Sequence, residues 1–141
     1  MIKKVFVDTD IFLDVALARK PFVEASRIVL SIMENNIAAG IISSNCIANI
    51  YYILRKVGGD EGARIFLGKI IEYISVISID HSNVVESLNS KFNDFEDGLQ
   101  YFAALQNQCD CIVTRNIDDY KCSEISVYSP IEFLSLYQGK L

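Results

Sequence analysis

Short apolar runs alternate with longer amphipathic segments along the chain, and this alternation restricts the possible folds more than any other feature. The runs that read as buried strands are "KVFV", "IAAGII", "VISI", "CDCIVT" and "ISVY". Between them, apolar residues recur at helical spacing, as they do from Phe22 to Met33. Repeated strand–helix units need right-handed crossovers, which favour parallel strands covered by helices on both faces. The sequence therefore predicts an α/β fold with three α/β/α layers and a mainly parallel sheet of roughly five strands.

Caps and helix breakers set the predicted helix boundaries. Ser43 or Ser44 can cap a helix that stops at Gly58–Gly59, and a second helix is expected over 60–74. The segment "DFEDGLQYFAALQN" is typical of a further helix. Pro130 suits the first turn of a terminal helix.

Length and charge narrow the class of protein. The chain has 141 residues, 51% of them hydrophobic, and lacks a Pro/Gly/Ser-rich linker, so residues 1–141 are expected to form a single domain. The net charge of −5 argues against indiscriminate binding to a phosphate backbone. It does not exclude a nucleic-acid substrate, because clustered acids that hold metal ions reverse the local field.

The expected compartment follows from the polar residues that interrupt the apolar segments. Asp8 and Asp10 interrupt the first apolar run too early for a signal peptide. The uncharged stretch 35–54 contains a cluster of polar residues within 43–49, which a lipid-facing helix would avoid. The sequence therefore predicts a cytoplasmic protein without a membrane span. Its four cysteines lack the spacing of a zinc site and are expected to be reduced and mostly buried. The lone His81 leaves little scope for imidazole chemistry and is expected near a helix start.

Acidic residues cluster at points that follow predicted strands or open a helix. The clusters are Asp8, Asp10 and Asp14; Asp94, Glu96 and Asp97; and Asn116, Asp118 and Asp119. Because parallel strands end at one edge of a sheet, strand-end residues are expected to converge there. Jointly, these oxygen ligands match a site for a hard cation, Mg²⁺ or Mn²⁺. Such a site fits phosphodiester hydrolysis, in which the metal lowers the pKa of a bound water and stabilises charge on the leaving oxygen.

Each acid taken alone also has a structural explanation. Asp8 can cap the helix that follows it, and Asp14, further along that helix, is expected to be solvated at the surface. Asp94 can cap its helix with Asp97 as the capping-box partner. An ordinary surface turn explains residues 116–119. The joint pattern, rather than any single residue, points to a metal.

Stretches of the sequence resemble the PIN domain family. They are "VFVDTDIFLDVAL", "IISSNCIANIYYILRK", "DFEDGLQYFAALQNQCDCIVTRNIDDY" and "SPIEFL", in this order and over nearly the whole chain. Members of this family are typically metal-dependent ribonucleases that cut single-stranded RNA, and many bacterial members are VapC-like toxins held by an antitoxin. The resemblance thus implies a ribonuclease that uses Mg²⁺ or Mn²⁺ and serves as the toxin of a toxin–antitoxin pair. It further implies single-stranded RNA and an antitoxin protein as partners, and a homodimer as the assembly.

The resemblance also assigns roles to individual residues. It implies Asp8, Asp97 and Asp119 as the metal-binding catalytic acids, with Asn116 in the same catalytic group. The residues expected to be auxiliary are Asp10, Asn49, Asp94, Glu96 and Asp118. The predicted substrate contacts are Arg115 and Ser44.

Asn49 departs from the family pattern. PIN nucleases commonly carry a glutamate in the helix after the second strand, where this chain has "ANIYY" with Asn49 at the matching position. Asparagine keeps an oxygen ligand but removes a full negative charge. Metal affinity is therefore expected to fall, and a two-metal site can reduce to one.

Two other functions compete with the nuclease. The first is a PIN-like module that binds RNA or protein but has lost catalysis, which the presence of Asn49 motivates. The second is a phosphatase of the haloacid-dehalogenase type with Asp8 as nucleophile, because Asp8-Thr9-Asp10 at a strand end is similar to the motif of that family. That phosphatase would lack a lysine at a strand end to balance the phosphate charge.

Overall fold

The computed structural model describes residues 2–137 and contains a five-stranded sheet. The strands are β1 (Lys4–Val7), β2 (Ala39–Ser43), β3 (Ile74–Ile77), β4 (Cys111–Val113) and β5 (Ser126–Tyr128). The helices are α1 (Thr9–Ala16), α2 (Val23–Glu34), α3 (Ser44–Ile70), α4 (His81–Leu88), α5 (Phe95–Gln106) and α6 (Pro130–Ser135). A 3₁₀ turn over Ile117–Tyr120 separates β4 from β5. Residues 1 and 138–141 of the predicted domain lie outside the described residues.

Every neighbouring strand pair is parallel, in the order β3-β2-β1-β4-β5. β1 lies at the centre, where Val5 stands opposite Gly40 of β2 and Cys111 of β4. Val5, Phe6 and Val7 are fully buried, as an apolar strand covered on both faces requires. The predicted α/β architecture with a parallel, five-stranded sheet is confirmed.

The helices form two groups that cover the sheet. α1 packs against α2 and α3, and α2 packs against α6, whereas α4 packs against α5. The connections from β1 to β2 and from β2 to β3 run toward one edge, and the connection from β3 to β4 returns across the sheet. Right-handed crossovers then place α4 and α5 on the face opposite to α1, α2 and α3. The predicted three-layer arrangement is confirmed.

Most predicted boundaries agree with the structure, with one shift around β3. Ser43 caps α3 by accepting a hydrogen bond from the Cys46 amide, and Gly59 breaks that helix with φ +84°, as predicted. β3 begins at Ile74 rather than two residues later, and the helix predicted to reach Ile74 ends at Ile70. The reason is packing, because Ile74 is 3% exposed and enters the core while Val76 is 46% exposed.

The remaining expectations concern the histidine, the cysteines and the membrane. His81 is the first residue of α4, as predicted. All four cysteines are free, and three are buried while Cys122 is exposed, which confirms mostly buried thiols. No helix within residues 2–137 combines the length and the apolar character needed to cross a bilayer.

Candidate active site

The carboxyl ends of β1 and β4 lie side by side at the point where the sheet order reverses. From β1 the chain moves outward to β2, and it later returns to place β4 on the other side of β1. Asp8 follows β1 directly, and the segment 114–116 follows β4. Ligands of open parallel sheets bind in the crevice at such a reversal, so topology alone makes this edge the candidate site.

Asp8 is 8% exposed and is held by groups from both strand ends. Its Oδ1 accepts a hydrogen bond from the Thr9 amide at 2.8 Å, which makes it the N-cap of α1. Its Oδ2 accepts one from the Thr114 hydroxyl at 2.8 Å. Burial raises the pKa of Asp8 despite these hydrogen bonds, and the nearby charge of Asp119 raises it further. The cap and the site residue are therefore the same side chain.

Asp10 has donors on one carboxylate oxygen and none on the other. Its Oδ2 accepts hydrogen bonds from the Arg115 amide at 3.1 Å and from the Asn116 side-chain amide at 3.0 Å. Its Oδ1 is buried and has no hydrogen-bond partner among the described residues. Burial, followed by the charge of Asp8, raises the pKa of Asp10 to about 7. An unpaired buried carboxylate oxygen is costly, and a ligand could satisfy it.

The start of α5 brings a second acidic group to the same place. The carboxylate of Asp94 accepts hydrogen bonds from the amides of Glu96 and Asp97, so the predicted cap forms. Only half of the predicted capping box exists, because the Asp97 side chain lines the acidic cavity instead of returning to the cap. Burial, then the charges of Asp94 and Asp8, raise the pKa of Asp97 to about 7.

A glycine fixes the position of α5 at this point. A side chain added at Gly98 would collide with the Ser87 hydroxyl of α4, and that hydroxyl donates a hydrogen bond to the Phe95 carbonyl at 2.8 Å. The "DG" of the predicted motif therefore combines an acid in the cavity with close helix packing immediately behind it.

These side chains line a cavity of about 430 Å³. The residues around it are Asp8, Thr9, Asp10, Leu13, Asn49, Tyr52, Ile53, Glu96, Asp97, Gln100, Asn116 and Asp119. The structure thus brings together most of the predicted acids and places Asn49 among them. Asn116 donates to Asp10 through its amide, so its predicted role in the catalytic group includes orienting another acid.

Four predicted site residues lie outside the cavity lining. Asp94 caps α5, Asp118 is exposed on the 3₁₀ turn, and Ser44 is exposed at the start of α3. Arg115 turns away from the cavity, since its guanidinium pairs with Asp14 at 2.7 Å. That pairing argues against the predicted contact between Arg115 and a substrate phosphate.

The prediction that Asp14 is a solvated surface residue is wrong. Its side chain is 0% exposed, and it accepts hydrogen bonds from the Ser26 hydroxyl at 3.1 Å and from Arg115. Removing one partner of such a buried pair costs roughly 3–5 kcal/mol, because a charge is left uncompensated away from water. The guanidinium of Arg115 is therefore engaged by Asp14 and does not face the cavity.

Sequence reasoning missed the polar residues that support Asp8. The Tyr120 hydroxyl lies 3.4 Å from Asp8 Oδ2 and donates to Gln100 Oε1 at 3.2 Å. Burial raises the pKa of Tyr120 well above its ordinary value. A signal existed for Gln100, which lies one helical turn after Asp97 and so on the same helix face.

The donors of the cavity suit a hard divalent cation in kind. They are carboxylate and amide oxygens, and one of them, Asp10 Oδ1, is buried and unpaired. Within residues 2–137, however, no three histidine, cysteine, aspartate or glutamate side chains are already grouped around one position for an ion. Carboxylates repel each other without a cation between them, which is consistent with acids that share a cavity but stand apart.

Comparison with known proteins decides the family. The sequence model described as PIN domain matches residues 4–118. The chain belongs to the PIN domain family. This confirms the resemblance seen in the sequence and leaves the haloacid-dehalogenase alternative without support.

Individual relatives agree with this assignment. Ribonuclease VapC1 of Aquifex aeolicus is 28% identical over an alignment of 140 residues that covers 93% of each chain. VapBC2 of Rickettsia felis, solved bound to a DNA fragment from its promoter, matches 89% of this PIN domain and 98% of its own chain, with a TM-score of 0.70 and 16% identity. VapC20 of Mycobacterium tuberculosis, a toxin that cleaves the sarcin–ricin loop, matches 77% of this chain and 86% of its own, with a TM-score of 0.61 and 10% identity. The two structures bear on the fold alone.

Proposed function

We propose that this PIN domain is a divalent-metal-dependent ribonuclease that cleaves single-stranded RNA as the toxin of a toxin–antitoxin pair. The observation that carries the proposal is the convergence of Asp8, Asp10, Asp97 and Asp119 on one cavity at the reversal point of the sheet. The similarity to a ribonuclease named VapC1 supports RNA as the substrate. The antitoxin as the partner rests on the similarity of the sequence to VapC-like proteins.

Under this proposal the acids of the cavity bind the ion, and neighbouring polar residues orient them. Asp8, Asp97 and Asp119 would hold Mg²⁺ or Mn²⁺, and Asp10 would add its unpaired oxygen. A bound ion supplies a water of lowered pKa and a positive charge beside the leaving oxygen of a phosphodiester. Thr114 and Asn116 keep Asp8 and Asp10 oriented through hydrogen bonds of 2.8 and 3.0 Å.

Tyr52 is the residue best placed to meet the RNA itself. It is 59% exposed and lines the cavity on the side formed by α3, next to Asn49. Unpaired bases stack on exposed aromatic rings, whereas paired bases in a duplex present no free face. An exposed ring beside the acids therefore favours single-stranded over double-stranded RNA.

Cleavage of labelled single-stranded RNA in the presence of Mn²⁺ tests the proposal. Asp8→Asn and Asp97→Asn should each lower the cleavage rate at least about a hundredfold, because each removes a ligand charge. Asp110→Asn is the matched control, since that carboxylate lies at the other end of β1 and accepts hydrogen bonds from the Lys3 and Lys4 amides. Equal cleavage by the wild type and both site variants would refute the proposal.

A binding module without catalysis is the second candidate, favoured by Asn49 in the cavity and by the separation of the acids. It predicts tight retention of RNA in a gel-shift assay with no cleavage at any Mn²⁺ concentration.

The proposed partners have tests of their own. Co-expression with the protein of an upstream or downstream open reading frame tests the antitoxin, and light scattering tests the homodimer that the resemblance implies.

A further inference from the structure

Arg115 and Asp14 form an ion pair one helical turn from Asp10, in which the Asp14 side chain is 0% exposed and the Arg115 side chain is 22% exposed. Arg115 Nε and Nη2 donate to the two carboxylate oxygens of Asp14 at 2.7 and 3.1 Å, a bidentate arrangement. The guanidinium carbon lies 3.9 Å from the centre of the Phe22 ring. A bidentate arginine–carboxylate pair tolerates little change in geometry, so it fixes residue 115 relative to α1.

The main chain around Arg115 holds the acids of the cavity. Its own amide donates to Asp10 Oδ2 at 3.1 Å, and the Asn116 side chain donates to the same oxygen at 3.0 Å. The residue before it, Thr114, donates to Asp8 Oδ2 at 2.8 Å. Each of these contacts depends on where the segment 114–116 lies.

Asp10 and Asp14 lie one turn apart on the same face of α1. Arg115 therefore contacts α1 at two successive turns, with its main chain at Asp10 and its side chain at Asp14. Ser26 extends the connection to α2 through its hydrogen bond of 3.1 Å to Asp14. Hydrogen bonds and the ion pair thus connect α2, through Asp14 and Arg115, to the segment that holds Asp8 and Asp10.

We infer that the Asp14–Arg115 pair is a positioning device for the site. It holds segment 114–116 in the place where Asp8 and Asp10 present fixed carboxylates to a divalent cation. Arg115 is thus a positioning residue and makes no contact with the substrate. The part of this inference that concerns the cation rests on the proposed function.

The double variant Asp14→Asn with Arg115→Met tests the device. It removes both charges together, so no uncompensated charge stays buried, and methionine keeps the aliphatic length beside Phe22. Amide hydrogen exchange at residue 115, measured by NMR without metal, should accelerate about tenfold as its hydrogen bond to Asp10 loosens. Calorimetry should show Mn²⁺ affinity lowered about tenfold, the lower end of the effect of outer-shell partners. RNA cleavage should show a lower kcat with an unchanged KM.

Two further variants make the result specific. Asp60→Asn with Arg64→Met removes an exposed Asp–Arg pair on α3 and should keep wild-type values in all three measurements. Arg115→Lys keeps a charge for Asp14 but loses the bidentate fork, so it should give intermediate values. Arg115→Lys also provides the test should the double variant not fold.

Unchanged exchange at residue 115 together with unchanged Mn²⁺ affinity would overturn the inference. A higher KM at unchanged Mn²⁺ affinity would overturn it too, because Arg115 would then contact substrate. A wild-type protein that neither binds Mn²⁺ nor cuts RNA would refute the proposed function, and the metal-free exchange rates alone would then decide whether the pair holds the segment.

Discussion

Asp10 and Asp14 lie one turn apart on α1, yet their carboxylates have different partners. Asp14 is fully buried and receives both donors of an arginine fork. Asp10 receives donors on one oxygen only, and its pKa rises to about 7 because burial and the neighbouring Asp8 disfavour its charge. One carboxylate is neutralised by a cation of the same chain, whereas the surroundings of the other disfavour its charge.

This difference teaches how an acid of the scaffold can be told from an acid of the site. Both are withdrawn from water, so burial alone does not separate them. The distinguishing observation is whether a fixed cation from the same chain neutralises the carboxylate. By this criterion Asp97 belongs with Asp10, because its pKa also rises to about 7. The neighbouring charges that raise it all come from acids: Asp94, Asp8, Asp119 and Glu96.

Removing the compensation at Asp14 should produce the largest effect. Arg115→Met leaves the buried Asp14 carboxylate with the Ser26 hydroxyl and the more distant Arg19, whose Nη1 lies 4.0 Å from Oδ1. It should lower the free energy of unfolding by roughly 3 kcal/mol, the low end of the cost of breaking a buried pair. Urea denaturation measures this loss. Arg64→Met, at an exposed pair on α3, should leave the midpoint unchanged. A midpoint for Arg115→Met equal to that of the wild type would contradict the expected contribution of the Asp14–Arg115 pair to stability.

The uncompensated acids should make the metal-free protein less stable as pH rises. Asp10 and Asp97 have folded-state pKa values of about 7, above the ordinary 3.8, so the stability they contribute is complete below pH 4 and is lost through pH 7. Asp110 has a lowered pKa, so its contribution is lost only on acidification and does not oppose this trend.

Thermal melts with a chelator at pH 5 and pH 8 measure the trend, and the melting temperature should be several degrees lower at the higher pH. Asp97→Asn should flatten the difference, because it removes one of the acids responsible. A melting temperature that stays constant or rises between these pH values would contradict the assignment of raised pKa values.

A negative charge at position 49 should have a smaller effect, which is to strengthen Mn²⁺ binding at the cavity. Asn49→Glu adds a carboxylate to the cavity and should raise Mn²⁺ affinity about tenfold, or about 1.4 kcal/mol. Ala48→Glu is the control, because that residue is exposed on the same helix and does not line the acidic cavity. Equal or weaker Mn²⁺ binding by Asn49→Glu in a calorimetric titration would refute the idea that the missing charge limits affinity.

The fold was largely predictable because its signals are local. The fully buried run before Asp8, the serine at the start of α3 and the break at Gly59 each act within a few residues. β3 was misplaced because both halves of "ISVISI" are equally apolar. Only the packing of Ile74 in the core distinguishes them.

The grouping of the acids in one candidate site was predictable, but the hydrogen-bond network around them was not. Topology brings Asp8 and the residues after β4 together, and the sequence order of strands and acids was enough to infer that. The burial of Asp14 was not, because its partner Arg115 lies 101 positions away along the chain. The contact of Tyr120 with Asp8 was missed for the same reason, because it joins residues 112 positions apart.

The central place of β1 has a consequence for biosynthesis. β1 is made first, yet its Asp8 meets Thr114 only after a further 106 residues have been added. A nascent or truncated polypeptide that stops short of β4 carries the first aspartates without the loop that orients them. The hydrogen bonds that orient Asp8 and Asp10 therefore form only once β4 and the segment after it have emerged from the ribosome.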